Sequence, residues 1–442
     1  MDAHWKNCPP EETIKTIENL LKPFGIKLKT EWYEDENRMG LYSNFVRPFN
    51  AFPSFKSAGK GITPEYAQAS GYAEFIERFQ TFMTYYRDYG KPYFKDEVLN
   101  SKTGIGEYPY LNLITGKPEM LSSAYLFSTG MASGNTDEEA IVHAICEIVE
   151  RQTVMDFVYG ELQVNSSLPL NHFNFNFTEL ENLMSGKVQL FDVGRFGIPT
   201  VALICRNEMT RQLVFKIDCA PTLDLAVERC LTEFFQNNFS KDMRYYYWQG
   251  CLPRAVKIDK DAVYGILVDY HLGPIPGHLI ADIEDAAVPE KIIDYNFTTE
   301  QDLIQQFIQA SKDIYHYNGV YLRDFKWAGF PTVYLYIPDL INREHKGLTL
   351  GQIFSNTFAY LIQEYEAYVG ENPSIAEFLM RELLTMYMGK PDPMMISKRY
   401  NNATEMNPYV KQMTDMIVRM KEVCKDFAMD IESFKRICLI SN

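Results

Sequence analysis

The chain has 442 residues, of which 46% are hydrophobic, and carries a formal net charge of -15. This length suits one to three domains with a large core, and the acidic charge argues against a nucleic-acid-binding face. No apolar run approaches the roughly 20 residues that span a bilayer, and the start carries no hydrophobic signal region, so we expect a cytoplasmic protein without membrane contact. The 8 cysteines and 7 histidines are scattered without a C-x-x-C or H-E-x-x-H motif, which argues against a disulfide framework or a zinc site.

The first third of the chain is predicted to contain two helices. Residues 11–21 place apolar side chains at helical spacing. Thr63 and Pro64 form a natural N-cap and first-turn pair, and they open a second helix that runs to about Tyr86. Between and after these helices, residues 40–53 look extended, while residues 56–61 and 100–120 are rich in glycine or turn residues and predict loops.

The remainder of the chain is predicted to alternate helices and strands. A polar loop over residues 128–135 leads into a helix capped by Thr136, with Glu139 three residues on as in a capping box. A further helix begins near Thr222 and ends near Asn238. Strands are predicted at residues 187–193, 199–205, 262–269 and 333–337, and more helix at residues 299–314, at 407–427 and over most of the chain from 374. Because no low-complexity linker interrupts this pattern, we expect one compact unit of mixed α/β class.

Three of the predicted helices repeat one spacing of acidic or amide side chains. An i,i+3 spacing places both members of a pair on the same helix face, so three copies indicate an internal repeat whose polar faces converge. An arginine accompanies each pair, as the segments EFIER, EIVER and ERCLTEFFQ show. The pairs are Glu74 with Glu77, Glu147 with Glu150, and Glu233 with Gln236.

The surroundings of these carboxylates are apolar. From Tyr66 to Tyr86 the charged residues are Glu74, Glu77 and Arg78 alone, and a helix that is apolar nearly all round should be buried. Two carboxylates about 5 Å apart repel by roughly 3 kcal/mol at an effective dielectric constant near 20, and burial adds a desolvation cost. A shared divalent cation would offset both costs, and an oxygen-rich site suits magnesium. A single motif of this kind would be read as a solvated helix face, but three copies on apolar helices favour a magnesium site.

Two residues of the second motif-bearing helix have two interpretations each. Glu139 fits a magnesium ligand, and helix capping explains it equally well. His143 lies one turn after Glu139 and one turn before Glu147, so it is either a general base facing the site or a packed supporting residue.

Glycine-rich segments before two of these helices fit phosphate binding at a helix N-terminus. The segment Gly59-Lys60-Gly61 lacks the earlier glycine and the hydroxyl residue of a P-loop, and no G-x-G-x-x-G is present. No G-x-S-x-G marks a nucleophile either, so the sequence assigns no catalytic residue. Gly71 costs its helix about 1 kcal/mol relative to alanine, which close backbone approach or tight helix packing would explain.

The segments at residues 59–78, 128–151 and 226–236 resemble the YcaO family, and they occur in family order. The resemblance covers about residues 5 to 350. It implies a YcaO-type mixed α/β fold with repeated helix-on-sheet units and a helical C-terminal segment, in a homodimer. The implied regions are an N-terminal helix and strand region over 1–55, an ATP-binding core over 56–372 and the C-terminal helical segment over 373–442.

The resemblance also implies an ATP- and Mg²⁺-dependent enzyme that modifies peptide-backbone amides. In this family a nucleophile adds to the amide carbon, the oxyanion takes the γ-phosphate of ATP, and loss of phosphate leaves an azoline, an amidine or a thioamide. We therefore expect a cyclodehydratase or thioamide-forming enzyme of ribosomal peptide modification, acting on a peptide or protein with a separate peptide-recognition or sulfur-delivery partner. The alternatives are an accessory factor for methylthiolation of a ribosomal protein and ATP-dependent peptide cleavage.

The resemblance assigns site residues position by position. The magnesium ligands it implies are Glu74, Glu77, Glu139, Glu147 and Glu150. The nucleotide-pocket residues it implies are Lys6, Thr13, Arg78, Asn135, Arg151, Arg229, Glu233 and Gln236.

Overall fold

A computed structural model describes the greater part of the chain up to residue 340. The described residues are 5–32, 39–48, 57–88, 97–98, 104–124, 129–206, 213–235, 251–252, 275–276, 280, 283–284, 289–340, 418–419 and 421–423. They form α-helices and mainly antiparallel sheets, which confirms the predicted mixed α/β class.

The helices agree with the sequence patterns within a few residues. Thr136 and Thr299 cap two of them, because their hydroxyl groups accept a hydrogen bond from the backbone three residues on. One short helix, α4, was not predicted, although Asn176 caps it in the same way. In chain order the helices are α1 (Pro10–Leu21), α2 (Pro64–Asp88), α3 (Asp137–Tyr159), α4 (Phe177–Met184), α5 (Leu223–Phe235) and α6 (Glu300–Asp313).

The described strands form three sheets and one short parallel pair. In chain order they are β1 (Leu28–Trp32), β2 (Tyr42–Pro48), β3 (Ser57–Gly61), β4 (Glu97–Val98), β5 (Gly104–Asn112), β6 (Lys117–Ala124), β7 (Met131–Ser133), β8 (Ser166–Leu168), β9 (Lys187–Asp192), β10 (Thr200–Arg206), β11 (Leu213–Cys219), β12 (Cys251–Leu252), β13 (Ile275–Pro276), β14 (Tyr321–Asp324) and β15 (Thr332–Tyr336). The first sheet has the order β1-β2-β3, the second β11-β10-β9-β8, and the third β4-β5-β14-β15-β7 with β6 beside β5. The parallel pair is β12 with β13.

The first sheet corrects the prediction of a flexible loop over residues 56–61. Strand β3 pairs with β2 along its whole length, and its glycines serve close packing rather than flexibility. A Cβ atom on Gly59 would lie 2.7 Å from the backbone nitrogen of Gly71, and one on Gly71 would lie 2.6 Å from a methyl group of Val46. Both glycines therefore let helix α2 lie directly on the sheet.

The third sheet corrects two predictions where the structure describes these residues: residues 104–120 of the turn-rich stretch 100–120 form mostly strands, and residues 131–133 of the predicted loop 128–135 form a strand. Strands β5 and β6 form a hairpin with a turn at residues 113–116, and the three residues of β7 pair with β15. Tyr108 and Tyr110 alternate with exposed Pro109 and are buried against the sheet. The glycine, proline and asparagine residues of this stretch indicate turns, which is why the sequence did not predict the alternation of buried and exposed side chains.

Helix α3 lies between the second and third sheets. Its first half, including Ile145 and Val149, packs with residues of β15 and α6. Its last turns, including Met155 and Phe157, pack against residues of β9, β10 and β11. The opposite face of the second sheet carries α4 and α5. A helix enclosed in this way has few solvent-facing positions, so most of its polar side chains face other parts of the protein.

Some predictions concern residues outside the described ranges. These are the strand at 262–269, the end of α5 beyond Phe235, and most of the C-terminal helical segment, of which helix is described at 418–419 and 421–423. The domain limits stay predictions. Among the described residues, none of the helices combines the length and the hydropathy that crossing a bilayer requires.

Candidate nucleotide and magnesium site

Helix α2 brings Glu74 and Glu77 to the interior face that the sequence predicted. One carboxylate oxygen of Glu74 accepts a hydrogen bond of 2.7 Å from the backbone nitrogen of Ala58 in β3, and the other pairs with Arg78. Burial raises the pKa of Glu77 well above its ordinary value, and the nearby charges of Glu74 and Glu147 raise it further. The side chains of Arg78 and Ser133 oppose this rise only in part.

Helix α3 presents Glu147 and Glu150 to the same region. The backbone nitrogen of Gly130 donates a hydrogen bond of 2.9 Å to Glu147. Gly130 has a φ of 85°, and a Cβ atom there would collide with the carbonyl oxygen of Leu335, so only glycine allows this approach.

Burial raises the pKa of both of these α3 carboxyl groups. The pKa of Glu147 rises to about 7, with Arg151 opposing the rise and Glu150 adding to it. Glu150 is 9% exposed, and burial followed by the charge of Asp218 raises its pKa. The guanidinium of Arg151 lies 3.9 Å from its carboxylate. Burial therefore disfavours the charged form of both carboxyl groups, and a nearby cation would favour it.

Basic residues that are buried or half-buried flank these carboxylates. Lys60 of β3 forms an ion pair with Glu233 of α5, and Arg229 of α5 lies 2.7 Å from Asp218 of β11. Burial lowers the pKa of Lys60 to about 8. Burial likewise lowers the pKa of Lys216, which precedes Asp218 by two residues on β11, to about 8. We call Glu74, Glu77, Glu147, Glu150, Asp218 and Glu233 the carboxylate cluster.

A separate group of polar residues forms at the start of α3. Lys6 lies 2.9 Å from the carboxylate of Glu139, which is 4% exposed, and Asn135 donates hydrogen bonds of 3.1 and 3.2 Å to the same carboxylate. The hydroxyl group of Thr13 donates a hydrogen bond of 2.7 Å to Asn135. Burial alone would raise the pKa of Glu139, but Lys6 together with these hydrogen bonds lowers it below its ordinary value. We call Lys6, Thr13, Asn135 and Glu139 the N-terminal group.

The N-terminal group revises the capping-box interpretation of Glu139. Its backbone nitrogen donates to the hydroxyl group of Thr136 at 3.1 Å, as a capped helix requires. Its carboxylate, however, bonds to Lys6, Asn7 and Asn135. The charge of Glu139 is thus already compensated by a lysine, which distinguishes it from the raised-pKa glutamates of the carboxylate cluster.

The structure places most of the predicted site residues in these two groups. Glu74, Glu77, Arg78, Glu147, Glu150, Arg151, Arg229 and Glu233 lie in or beside the carboxylate cluster, and Lys6, Thr13, Asn135 and Glu139 form the N-terminal group. Gln236 lies outside the described residues.

His143 lies between the two groups on α3. Its Nδ1 atom is 3.4 Å from the carbonyl oxygen of Ser133. Burial lowers its pKa well below the ordinary value, and the charges of Arg229 and Lys6 lower it further. The neutral ring is compatible with both of the roles that the sequence suggested.

Sequence reasoning missed Lys60, Lys216 and Asp218. A signal existed in β11, where Lys216 and Asp218 alternate with apolar residues in the segment LVFKIDC. Two charged residues at positions i and i+2 of a strand share one face, and both are at least nine-tenths buried here. Such a pair inside an apolar strand indicates a partner of opposite charge nearby.

The residues present fit a magnesium–nucleotide complex. Among the described residues no group of three or more His, Cys, Asp or Glu side chains is close enough to cage a metal ion. Magnesium at a nucleotide needs no such cage, because one or two carboxylates, phosphate oxygens and water complete its octahedral shell. The raised pKa values of Glu77 and Glu147 fit the binding of a cation. The basic side chains of Lys60 and Lys216 beside them fit the binding of a polyphosphate.

Comparison with known proteins supports this reading of the site. The family model described as YcaO cyclodehydratase, ATP- and Mg²⁺-binding, matches residues 108–341, which is more than half of the chain. An uncharacterized protein of Methanothermobacter thermautotrophicus is 28% identical over 271 residues, which cover 53% of this chain and 70% of the relative.

Two solved structures align with large parts of the chain. A heterocyclase in complex with substrate and cofactor aligns with a TM-score of 0.52 at 19% identity over 76% of this chain, and the chain spans 53% of that protein's length. YcaO from Methanopyrus kandleri, bound with AMPPCP and Mg²⁺, aligns with a TM-score of 0.47 at 17% identity over 75% of this chain and 91% of its own. The family match agrees with the predicted family and with the predicted cofactors, ATP and Mg²⁺. The chain belongs to the YcaO cyclodehydratase family, which binds ATP and Mg²⁺.

Proposed function

We propose that the protein uses ATP and Mg²⁺ to phosphorylate the oxygen of a backbone amide in a peptide or protein substrate. The observation that carries this proposal is that Glu77 and Glu147, two partly buried glutamates from different helices, lie within electrostatic range of each other and both have raised pKa values. Buried carboxylates without a compensating cation are costly, so their placement is explained by a ligand that brings positive charge. The family description supports ATP and Mg²⁺ as that ligand.

The side chains of the site have distinct parts in this proposal. Glu77 and Glu147, supported by Glu74 and Glu150, hold the magnesium ion, while Arg78, Arg151 and Arg229 bind phosphate oxygens. Magnesium, when bound, neutralises the triphosphate and orients its terminal phosphate. The partly buried positions of these residues limit the access of water and strengthen each electrostatic contact.

The reaction we propose balances as a phosphoryl transfer followed by elimination. A nucleophile bonds to the amide carbon and loses its proton, and the electron pair of the C=O bond moves to oxygen. That oxyanion takes the γ-phosphate and releases ADP. A lone pair on the amide nitrogen, or on sulfur when the nucleophile is a sulfide, then forms a new double bond to carbon as the carbon–oxygen bond breaks. Inorganic phosphate leaves with the amide oxygen, and loss of the proton on that nitrogen or sulfur gives the neutral product.

The assembly around this site is also a proposal. The heterocyclase of similar fold was solved with its substrate, which is consistent with a peptide substrate here. A homodimer and a separate peptide-recognition or sulfur-delivery partner follow from the resemblance of the sequence. Size-exclusion chromatography with light scattering tests the homodimer, because a monomer at working concentration would contradict it.

The test of the proposed site replaces single carboxylates by their isosteric amides. We expect Glu147→Gln and Glu150→Gln each to reduce magnesium-dependent ATP turnover by at least about 100-fold without unfolding the protein. The matched control is Glu138→Gln, the same substitution at an exposed position of the same helix, which should keep full turnover. Full turnover in both site variants would overturn the assignment.

Mass spectrometry of a co-expressed candidate peptide tests the chemistry. Loss of water identifies an azoline, and exchange of oxygen for sulfur identifies a thioamide. Scission of the chain would contradict amide modification and would favour ATP-dependent cleavage. An intact, unmodified peptide together with altered activity of a methylthiotransferase would favour the accessory role.

A further inference from the structure

Asp218 is a buried carboxylate in the middle of the basic residues of the site. It lies at the end of strand β11 and is 0% exposed. Its Oδ1 atom lies 2.7 Å from Nε of Arg229 and accepts a hydrogen bond of 2.9 Å from the backbone nitrogen of Cys219. Its Oδ2 atom is buried and has no hydrogen-bond partner among the residues that the structure describes.

A role in stability alone explains this arrangement poorly. A buried ion pair seldom adds net stability, because desolvation of the two charges consumes most of their attraction. An unfilled acceptor on one of the two partners adds a further cost. The Asp218–Arg229 pair therefore fits a site whose hydrogen bonds are completed by a ligand.

Asp218 also influences the charge state of the residues around it. Burial lowers the pKa of Lys60, and Asp218 is the strongest of the acidic neighbours that oppose this. Burial disfavours the charged form of Arg229 as well, yet Asp218, first among its acidic neighbours, holds the pKa of that guanidinium above its ordinary value. One carboxylate thus lies within electrostatic range of basic side chains from two different elements, β3 and α5.

We propose that Asp218 is a positioning residue of the nucleotide site, which orients the guanidinium of Arg229 towards the phosphates of the bound nucleotide. This inference rests on the proposed nucleotide site. Arg229 lies on α5 with a side chain that is 25% exposed, so one edge of its guanidinium can reach a ligand while its Nε atom lies in ion-pair contact with Asp218 at 2.7 Å. Among the described residues this Nε atom, like Oδ2 of Asp218, has no aligned hydrogen bond, so the pair is held by charge. The planar guanidinium binds phosphate well only in a fixed orientation. The residue that fixes this orientation, Asp218, therefore determines how tightly the nucleotide binds.

The test measures binding of a non-hydrolysable ATP analogue with Mg²⁺ by calorimetry. We expect Asp218→Asn to weaken binding by about tenfold or more, since it removes a charge-assisted contact that orients a phosphate-binding group. The matched control is Asp192→Asn, another carboxylate of the same sheet that is 0% exposed but bonds to Tyr295, Gly194 and Asn165. Both variants should lose thermal stability, and only the first should lose nucleotide affinity.

A double-mutant cycle separates positioning from a general structural effect. In an Arg229→Gln background, Asp218→Asn should change nucleotide affinity by less than about twofold, because the group that it orients is already absent. The proposal would be overturned if the double variant lost affinity by the product of the two single-variant losses. It would also be overturned if Asp218→Asn bound nucleotide with wild-type affinity. If Asp218→Asn does not fold, Arg229→Lys tests the same point, because lysine keeps the charge but lacks the planar guanidinium that can face Asp218 and a phosphate through different edges. That variant should lose affinity by about tenfold, and unchanged affinity would again overturn the proposal.

The wild-type measurement keeps the two proposals apart. If the wild-type protein binds no nucleotide with Mg²⁺, the proposed function fails. If it binds nucleotide and the Asp218 and Arg229 variants bind equally well, the role of Asp218 and the assignment of Arg229 to the phosphates fail together, while nucleotide binding itself stands.

Discussion

The candidate site is built on carboxylates that lie in largely apolar surroundings. Glu147 is hydrogen-bonded to the backbone of Gly130, yet its pKa is raised to about 7 because burial outweighs that contact. An acid whose pKa is higher in the folded than in the unfolded state destabilises the fold as pH rises. Under the proposed function, the same buried charge that lowers the stability of the free protein favours the binding of a cation.

The free protein should lose stability between pH 5 and pH 8 through Glu147. The stabilising protonated form is fully present below the ordinary pKa of 4.5 and is lost as pH rises through about 7. Without nucleotide or metal, Glu147→Gln should raise the melting temperature at pH 8 by a few degrees and flatten its dependence on pH. Thermal unfolding across this range checks the prediction, with Glu138→Gln as the variant that should follow the wild type. Parallel pH profiles for Glu147→Gln and the wild type would contradict it.

The sequence predicted part of the site because regular spacing carries information about one element. The i,i+3 spacing placed Glu74 with Glu77 and Glu147 with Glu150 on shared helix faces. Asp218 was not predicted, because its partner Arg229 lies on a different element. The spacing of residues within one element does not show which side chains of a strand and a later helix will meet. Glu139 was assigned to magnesium by resemblance, whereas the structure pairs it with Lys6.

At the scale of elements, the helices were predictable and several strands were not. The capping residues Thr63 and Thr136, followed by helical periodicity, predicted the helix starts to within a residue or two. Strand β3 was mistaken for a loop because its glycines were interpreted as flexibility. The requirement for those glycines arises from the contact with α2, which is a tertiary property that a single segment does not reveal.

Helix α2 should therefore reject a larger side chain at Gly71. Alanine would gain about 1 kcal/mol of helix propensity, but its Cβ atom would lie 2.6 Å from Val46 and 3.0 Å from Asn44, both fully buried. Overpacking of this kind costs about 1–3 kcal/mol, so Gly71→Ala should lower stability despite the better propensity. It should also weaken nucleotide binding, because β3 carries Lys60 and the backbone donor to Glu74.

Thermal unfolding and calorimetry of the same variant check this prediction. Ser70→Ala, at the preceding and partly exposed position of α2, is the control and should be neutral or slightly stabilising. A Gly71→Ala protein that is more stable than the wild type would show that α2 and the first sheet are not in close contact.

At the scale of the whole molecule, the fold brings together residues that are far apart in the chain. Helix α3 lies between two sheets, and α2 and α5 approach it from different sides through β3, β7 and β11. The carboxylate cluster consequently draws on residues from Glu74 to Glu233. The repeated motif suggested this convergence, but the order of the sheets that produces it, such as β7 beside β15, depends on long-range pairing.

The most direct test of this account is a crystal structure with a non-hydrolysable ATP analogue and Mn²⁺ in place of Mg²⁺. The anomalous scattering of manganese identifies the metal peak and distinguishes it from water. The account predicts a manganese peak within coordination distance of a carboxylate oxygen of Glu77 or Glu147, bridged to phosphate oxygens of the nucleotide. Bound nucleotide whose manganese touches none of the glutamates of α2 and α3 would contradict it.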